Sequence, residues 1–171
     1  MTKFLLLFIL FLLWKPALSM EIIPTSIQDN ACVKISEDEY TGATEHKCQG
    51  VGGYALRVFY DDNRMSLNVI YPDKTEYPLE LWDKVTHSFF SLDNMVQWYS
   101  VYDRGDITPL AIIIGVNNDN IDALEKNWWV IIRLNVDNAC ITDIVNKKEW
   151  SSNNIIGLVG ASLSKPCLRF R

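Results

Sequence analysis

Residues 48–71 read Cys-Gln-Gly-Val-Gly-Gly-Tyr-Ala-Leu-Arg-Val-Phe-Tyr-Asp-Asp-Asn-Arg-Met-Ser-Leu-Asn-Val-Ile-Tyr. Tyr54, Leu56, Val58 and Tyr60 occupy alternate positions, as do Met65, Leu67, Val69 and Tyr71 after a polar Asp-Asp-Asn. Successive side chains of a strand point to opposite faces, so each run presents one bulky face. Two such runs around a polar turn predict a β-hairpin with one face committed to a core. A chain built on this stretch folds around an antiparallel sheet. The glycines Gly50, Gly52 and Gly53 lack the lysine and serine of a phosphate loop and lead into a strand, not a helix. Backbone freedom beside a cysteine explains them better.

The N-terminus predicts export. Lys3 opens the chain, residues 4–14 are apolar without a break, and Ala17-Leu18-Ser19 offers small residues at a cleavage site. That run is shorter than the roughly 20 residues that span a bilayer, so residues 1–19 are expected to be a signal peptide and residues 20–171 a single exported domain. Removing Lys3 and Lys15 leaves 14 basic against 21 acidic residues, a net charge of −7. No basic run remains for nucleic acid or an anionic membrane surface. Cys32, Cys48, Cys140 and Cys167 all lie in the exported part. Behind a signal peptide an even count implies two disulfides, and four cysteines allow three connectivities. Sequence proximity favours Cys32–Cys48 and Cys140–Cys167. The absence of any Asn-x-Ser/Thr acceptor suits a bacterial origin, and a periplasmic or secreted location follows.

Taken in order, residues 21–30 predict a poorly ordered start because Pro24 interrupts them. Residues 31–35 read as a short strand and 36–47 as a polar connector turning at Thr41-Gly42. After the central hairpin, Pro72 ends the ladder. Leu79, Leu81, Trp82, Val85 and Phe89 suggest a short helix, and residues 91–94 a turn. Residues 95–102 alternate again, and residues 109–116 are apolar throughout, as in a strand buried on both faces. Residues 117–126 suggest a capped helical turn. Strands are expected at 128–134 and 140–145, then a helix at 151–164 capped by Ser152 or Asn153. Within it Gly157 and Gly160 suit close packing on the sheet. The resulting expectation is an α+β domain: an antiparallel sheet of about six or seven strands, one C-terminal helix and two disulfides.

With these pieces placed, the chain resembles a group of small exported proteobacterial proteins. The likeness rests on Cys48-Gln49-Gly50 leading to Gly53-Tyr54, on Asp62-Asn63-Arg64-Met65-Ser66, and on Ala139-Cys140-Ile141 followed by a helix and a final cysteine. It implies fold and topology and carries no activity. Where similar proteins tend to have Glu-Trp-Arg, this chain has Gln97-Trp98-Tyr99, so no acid–base pair is transferred.

Catalytic and metal signals are thin. His46 lies near Cys48 and Cys32, but zinc needs three or four ligands and the disulfide competes for both thiols. His87-Ser88 has no nucleophile-elbow context. Asn118, Asn120 and Asp122 have calcium-loop spacing, yet Ala123 stands where glycine is required and Trp129 where the bidentate glutamate belongs. Arg104-Gly105-Asp106 reads as a turn. No cofactor is expected. The aromatic residues are more telling, because they exceed what one sheet face hides, and the adjacent Trp128 and Trp129 must face opposite ways. Either a helix and loops cover the second face, or part of it is a contact surface formed by whichever of Trp129, Tyr99 and Phe59 is exposed. The favoured expectation is a non-enzymatic binding module for an envelope protein or glycan. The alternatives are an envelope hydrolase using carboxylates such as Asp61, Asp62 or Glu80, and a purely structural envelope protein.

Overall fold

The computed structural model describes residues 19–62, 64–86, 90–118, 127–150 and 152–169. Residues 1–18 of the expected signal peptide, His87-Ser88 and most of the 117–126 segment with its calcium-like spacing lie outside these residues, as do the capping side chains of Ser152 and Asn153. Ten strands form one sheet: β1 (Ser19–Ser26), β2 (Cys32–Glu37), β3 (Thr44–Gln49), β4 (Ala55–Asp61), β5 (Arg64–Ile70), β6 (Glu76–Pro78), β7 (Phe90–Asp103), β8 (Asp106–Asn118), β9 (Trp128–Leu134) and β10 (Ala139–Asn146). The helix α1 spans Ser152–Ser162. The order is β10-β9-β8-β7-β5-β4-β3-β2, with β1 on β7 and β6 on β5.

The expected six or seven antiparallel strands are therefore ten in a mixed sheet. The three additional strands are β1, β3 and β6, each poor in apolar alternation. β1 replaces the disorder expected of residues 21–30. It pairs only with β7, so Pro24 sits opposite Gln97 on an edge strand, the one kind of strand that tolerates proline. The mixed character comes from one parallel pair, Arg64 opposite Phe90, which joins β5 to β7. It divides the sheet into two antiparallel arms, one of β2 to β6 and one of β1 and β7 to β10. Residues 91–94 belong to β7 and are not a turn; a bulge lies between Leu92 and Val96. The helix expected near residue 82 is a single π-type turn, Trp82–Thr86.

The inner faces of the two arms share one core. Leu56, Val58, Leu67 and Val69 of the first arm pack in the same cluster as Trp98, Ile112, Ile114, Val130 and Ile132 of the second. The hairpin's alternation thus predicted its buried face. Gly52, at φ +60°, belongs to the loop under this hairpin, where a Cβ would lie 2.4 Å from the Ile107 carbonyl oxygen. Trp98 Nε1 donates to Thr25 Oγ1 at 2.7 Å, which fastens β1. Tyr71 closes the far end of the arms, its hydroxyl 2.8 Å from the carbonyl oxygens of both Asn135 and Asn138.

Both disulfides form as expected, Cys32–Cys48 and Cys140–Cys167, and no described cysteine is free. Cys32 and Cys48 are direct partners across β2 and β3. Sequence separations of 16 and 27 residues correspond to about 3 and 3.5 kcal/mol in the loop-entropy account. Two such bonds point to an oxidising, extracytoplasmic environment. Among the described residues no helix is long and apolar enough to cross a membrane.

Candidate functional site

The outer faces of the two arms differ. On the second arm, Tyr99, Ala111, Ile113 and Ile131 form a smaller apolar cluster that Ile155 and Val159 of α1 cover. Arg133 of β9 donates to the carbonyl oxygens of Leu163 and Lys165, which holds the end of the helix down. Gly157 and Gly160 have open space where a Cβ would stand, so they do not serve close packing on the sheet.

The outer face of the first arm has no helix on it. Register places Glu45, Phe59 and Ser66 in one row across β3, β4 and β5, with Arg57 and Asn68 beside them. The row lines a cleft of about 640 Å³, open between the β2–β3 hairpin and the turn around Trp82. Phe59 and Trp82, both half-buried, supply its apolar surface. Glu37, Asp38, Glu45, Asp61 and Glu80 line it, and no lysine or arginine does so among the described residues.

Three of these carboxylates are ion-paired: Glu37 with Lys34, Glu45 with Arg57 at 3.1 Å, and Glu80 with Lys84 at 2.9 Å. Asp38 accepts the amides of Tyr40 and Thr41 at 2.9 Å. Those amides, Thr41 first, hold its carboxyl below the ordinary 3.8. Among the described residues, neither Asp38 nor Asp61 meets a cationic side chain. Ser66 is 6% exposed. Its Oγ accepts the Leu81 amide at 3.2 Å, while its own hydroxyl proton meets no acceptor among the described residues. Glu80 has φ +52°, a strained backbone of the kind that functional sites often keep. Its carbonyl accepts the Asp83 and Lys84 amides and starts the Trp82 turn.

The three aromatic residues singled out from sequence have three different fates. Tyr99 is 1% exposed and lies under α1, so it belongs to no surface. Trp129 is half-buried against the same cluster, with Lys147 Nζ 4.6 Å above its ring. Trp128 faces the other way, into the main core, as adjacency required. Phe59 lines the cleft. Of the carboxylates considered for hydrolysis, Asp61 and Glu80 line it with Phe59 and Asp62 does not. Sequence reasoning missed Trp82, Ser66, Asn68 and the three acids of the β2–β3 hairpin. Only the parity shared with Phe59 across three strands connects several of them.

A second cleft, of about 660 Å³, lies by the β7 bulge and includes Asp29, Tyr60, Asp93 and Asn117. Its polar groups are largely satisfied internally. Lys147 Nζ bonds both Asp93 carboxylate oxygens, at 2.9 and 2.8 Å, and Asn117 Oδ1 at 2.8 Å. Gly115 makes room for this clasp, since a Cβ there would stand 1.8 Å from Asp93 Oδ2. Tyr60 donates its hydroxyl to Ile27 O at 3.1 Å. His46 is buried with Nδ1 3.5 Å from Asp29 Oδ1, and both cysteines near it are used in the disulfide. Among the described residues no three side chains converge as metal ligands. Comparison with known family models, curated proteins and solved structures finds no match for this chain.

Proposed function

We propose that this chain is an exported, non-enzymatic binding module of the bacterial envelope, and that its cleft takes a glycan. The observation that carries the reading is the uncovered outer face of the first arm. A domain that caps one arm with a helix leaves Phe59 and Trp82 of the other lining an open cleft. Aromatic rings stack on the apolar faces of sugar rings, while carboxylates, amides and hydroxyls meet sugar hydroxyls. Glu45, Asp61, Ser66 and Asn68 supply those groups here. The test is retention of the oxidised protein on insoluble cell-wall glycan, with Phe59→Ser as control. Wild type should be retained and the variant lost at unchanged circular dichroism. Equal retention of both would remove the cleft from the reading.

A second reading has one observation behind it, because Asp61 and Glu80 line the same cleft and paired carboxylates hydrolyse glycosides. Release of reducing ends from the glycan, abolished by Asp61→Asn, would make the module an enzyme.

A further inference from the structure

We infer that the cleft selects a cationic amino sugar over its neutral N-acylated counterpart. This rests on the glycan reading and adds the ligand's charge. Glu37, Glu45 and Glu80 have cationic partners of their own. Asp38 and Asp61 form no ion pair among the described residues, although register sets Arg64 opposite Asp61, so a ligand that brings positive charge finds two carboxylates there without a bonded cation. The Thr41 and Tyr40 amides keep Asp38 ionised in mildly acidic solution. The faces of Phe59 and Trp82 are also attractive to an ammonium group. Arg64 shows this already, with its guanidinium carbon 5.8 Å from the centre of the Trp82 ring.

Charge alone would fit any small cation, and Ser66 narrows the choice. It lines the cleft, and its hydroxyl, which accepts the Leu81 amide, keeps a proton to donate, so a ligand with an acceptor oxygen gains a bond there. A chain of amino sugars brings ammonium groups for the aspartates, ring and hydroxyl oxygens for Ser66, and apolar ring faces for the aromatics. A simple polyamine brings only the first.

The experiment titrates the full oxidised protein calorimetrically with three soluble probes in mildly acidic, low-salt buffer. They are a β-1,4-glucosamine oligomer, its fully N-acetylated counterpart of equal length, and an oligolysine of equal charge. The glucosamine oligomer should bind about tenfold more tightly than the acetylated one, with a preference that shrinks as salt is added. Asp61→Asn should remove most of the preference, weakening the glucosamine oligomer far more than the acetylated one. Equal or tighter binding of the acetylated oligomer would overturn the inference while the glycan site stands. Oligolysine binding as tightly as the glucosamine oligomer would also overturn it, in favour of a basic peptide. Binding of neither sugar would overturn the glycan reading and the inference together.

Discussion

The two outer faces of this sheet start from similar material and finish differently. On the second arm the outward positions of β7, β8 and β9 are Tyr99, Ala111, Ile113 and Ile131, and α1 seals them. On the first arm the corresponding positions of β3, β4 and β5 are Glu45, Phe59, Ser66 and Asn68; no helix lies over them, and Ser66 alone of the four is buried. Strands buried on both faces need apolar residues at every position, which is why residues 110–114 read Leu-Ala-Ile-Ile-Ile. A strand with one wet face alternates, as β4 and β5 do. Phe59 breaks that alternation: it is a large apolar residue on the wet parity. The difference separates a face made for stability from one available for contact.

The largest effect expected from this contrast lies under the helix. Ile131 is fully buried between β8, β10 and α1, so Ile131→Ala should cost about 3 to 4 kcal/mol, from lost transfer energy and the cavity left behind. Urea unfolding measures it. A loss below about 1 kcal/mol would mean that α1 does not seal this face, and the contrast between the arms would fail.

A middle-sized effect tests whether the arms are clasped at their far end. Tyr71→Phe removes the hydroxyl held by Asn135 and Asn138, at about 1 to 1.5 kcal/mol. The same residue predicts a pH dependence. Burial raises the Tyr71 hydroxyl well above its ordinary 10.0, and burial with the nearby Asp29 carboxylate pushes Tyr60 up to about 12. Both groups hold their protons more tightly folded than unfolded. Their contribution is therefore complete below pH 10.0 and declines above it, that of Tyr60 through about 12 and that of Tyr71 higher still. Unfolding followed from neutral to alkaline pH should show that decline, shallower in Tyr71→Phe. An identical decline in the variant would assign it to other groups.

How much of this was legible depends on how far each signal reaches along the chain. The hairpin of Tyr54 to Tyr71, the doubly buried β8 and both disulfides were readable, because alternation, apolar runs and close cysteines are local. β3 was not, since Thr-Glu-His-Lys-Cys-Gln carries only His46 and Cys48 on its buried face. β1 hid behind Pro24, a residue that an edge strand accepts and a central one rejects. The surplus of aromatics was visible, yet only the position of α1 separates Tyr99 from Phe59. The cleft's acids were unreadable as a set. Glu37, Glu45 and Asp61 sit on three different strands and Glu80 in a loop, and the parallel pair at Arg64 and Phe90 that divides the sheet leaves no local signature.

The smallest expected stability effect is the most informative for function. Phe59→Ser removes a half-buried ring from a face no helix covers, so it should cost only about 1 kcal/mol. It should nonetheless abolish retention on glycan, because the ring is the cleft's central apolar contact. Set beside Ile131→Ala, the pair forms a double dissociation: one substitution lowers stability and spares the cleft, while the other spares stability and removes the ligand. Were Phe59→Ser to cost as much as Ile131→Ala, Phe59 would be a core residue under a cover. The outer face of the first arm would then be as closed as that of the second, and the argument for a ligand there would end with it.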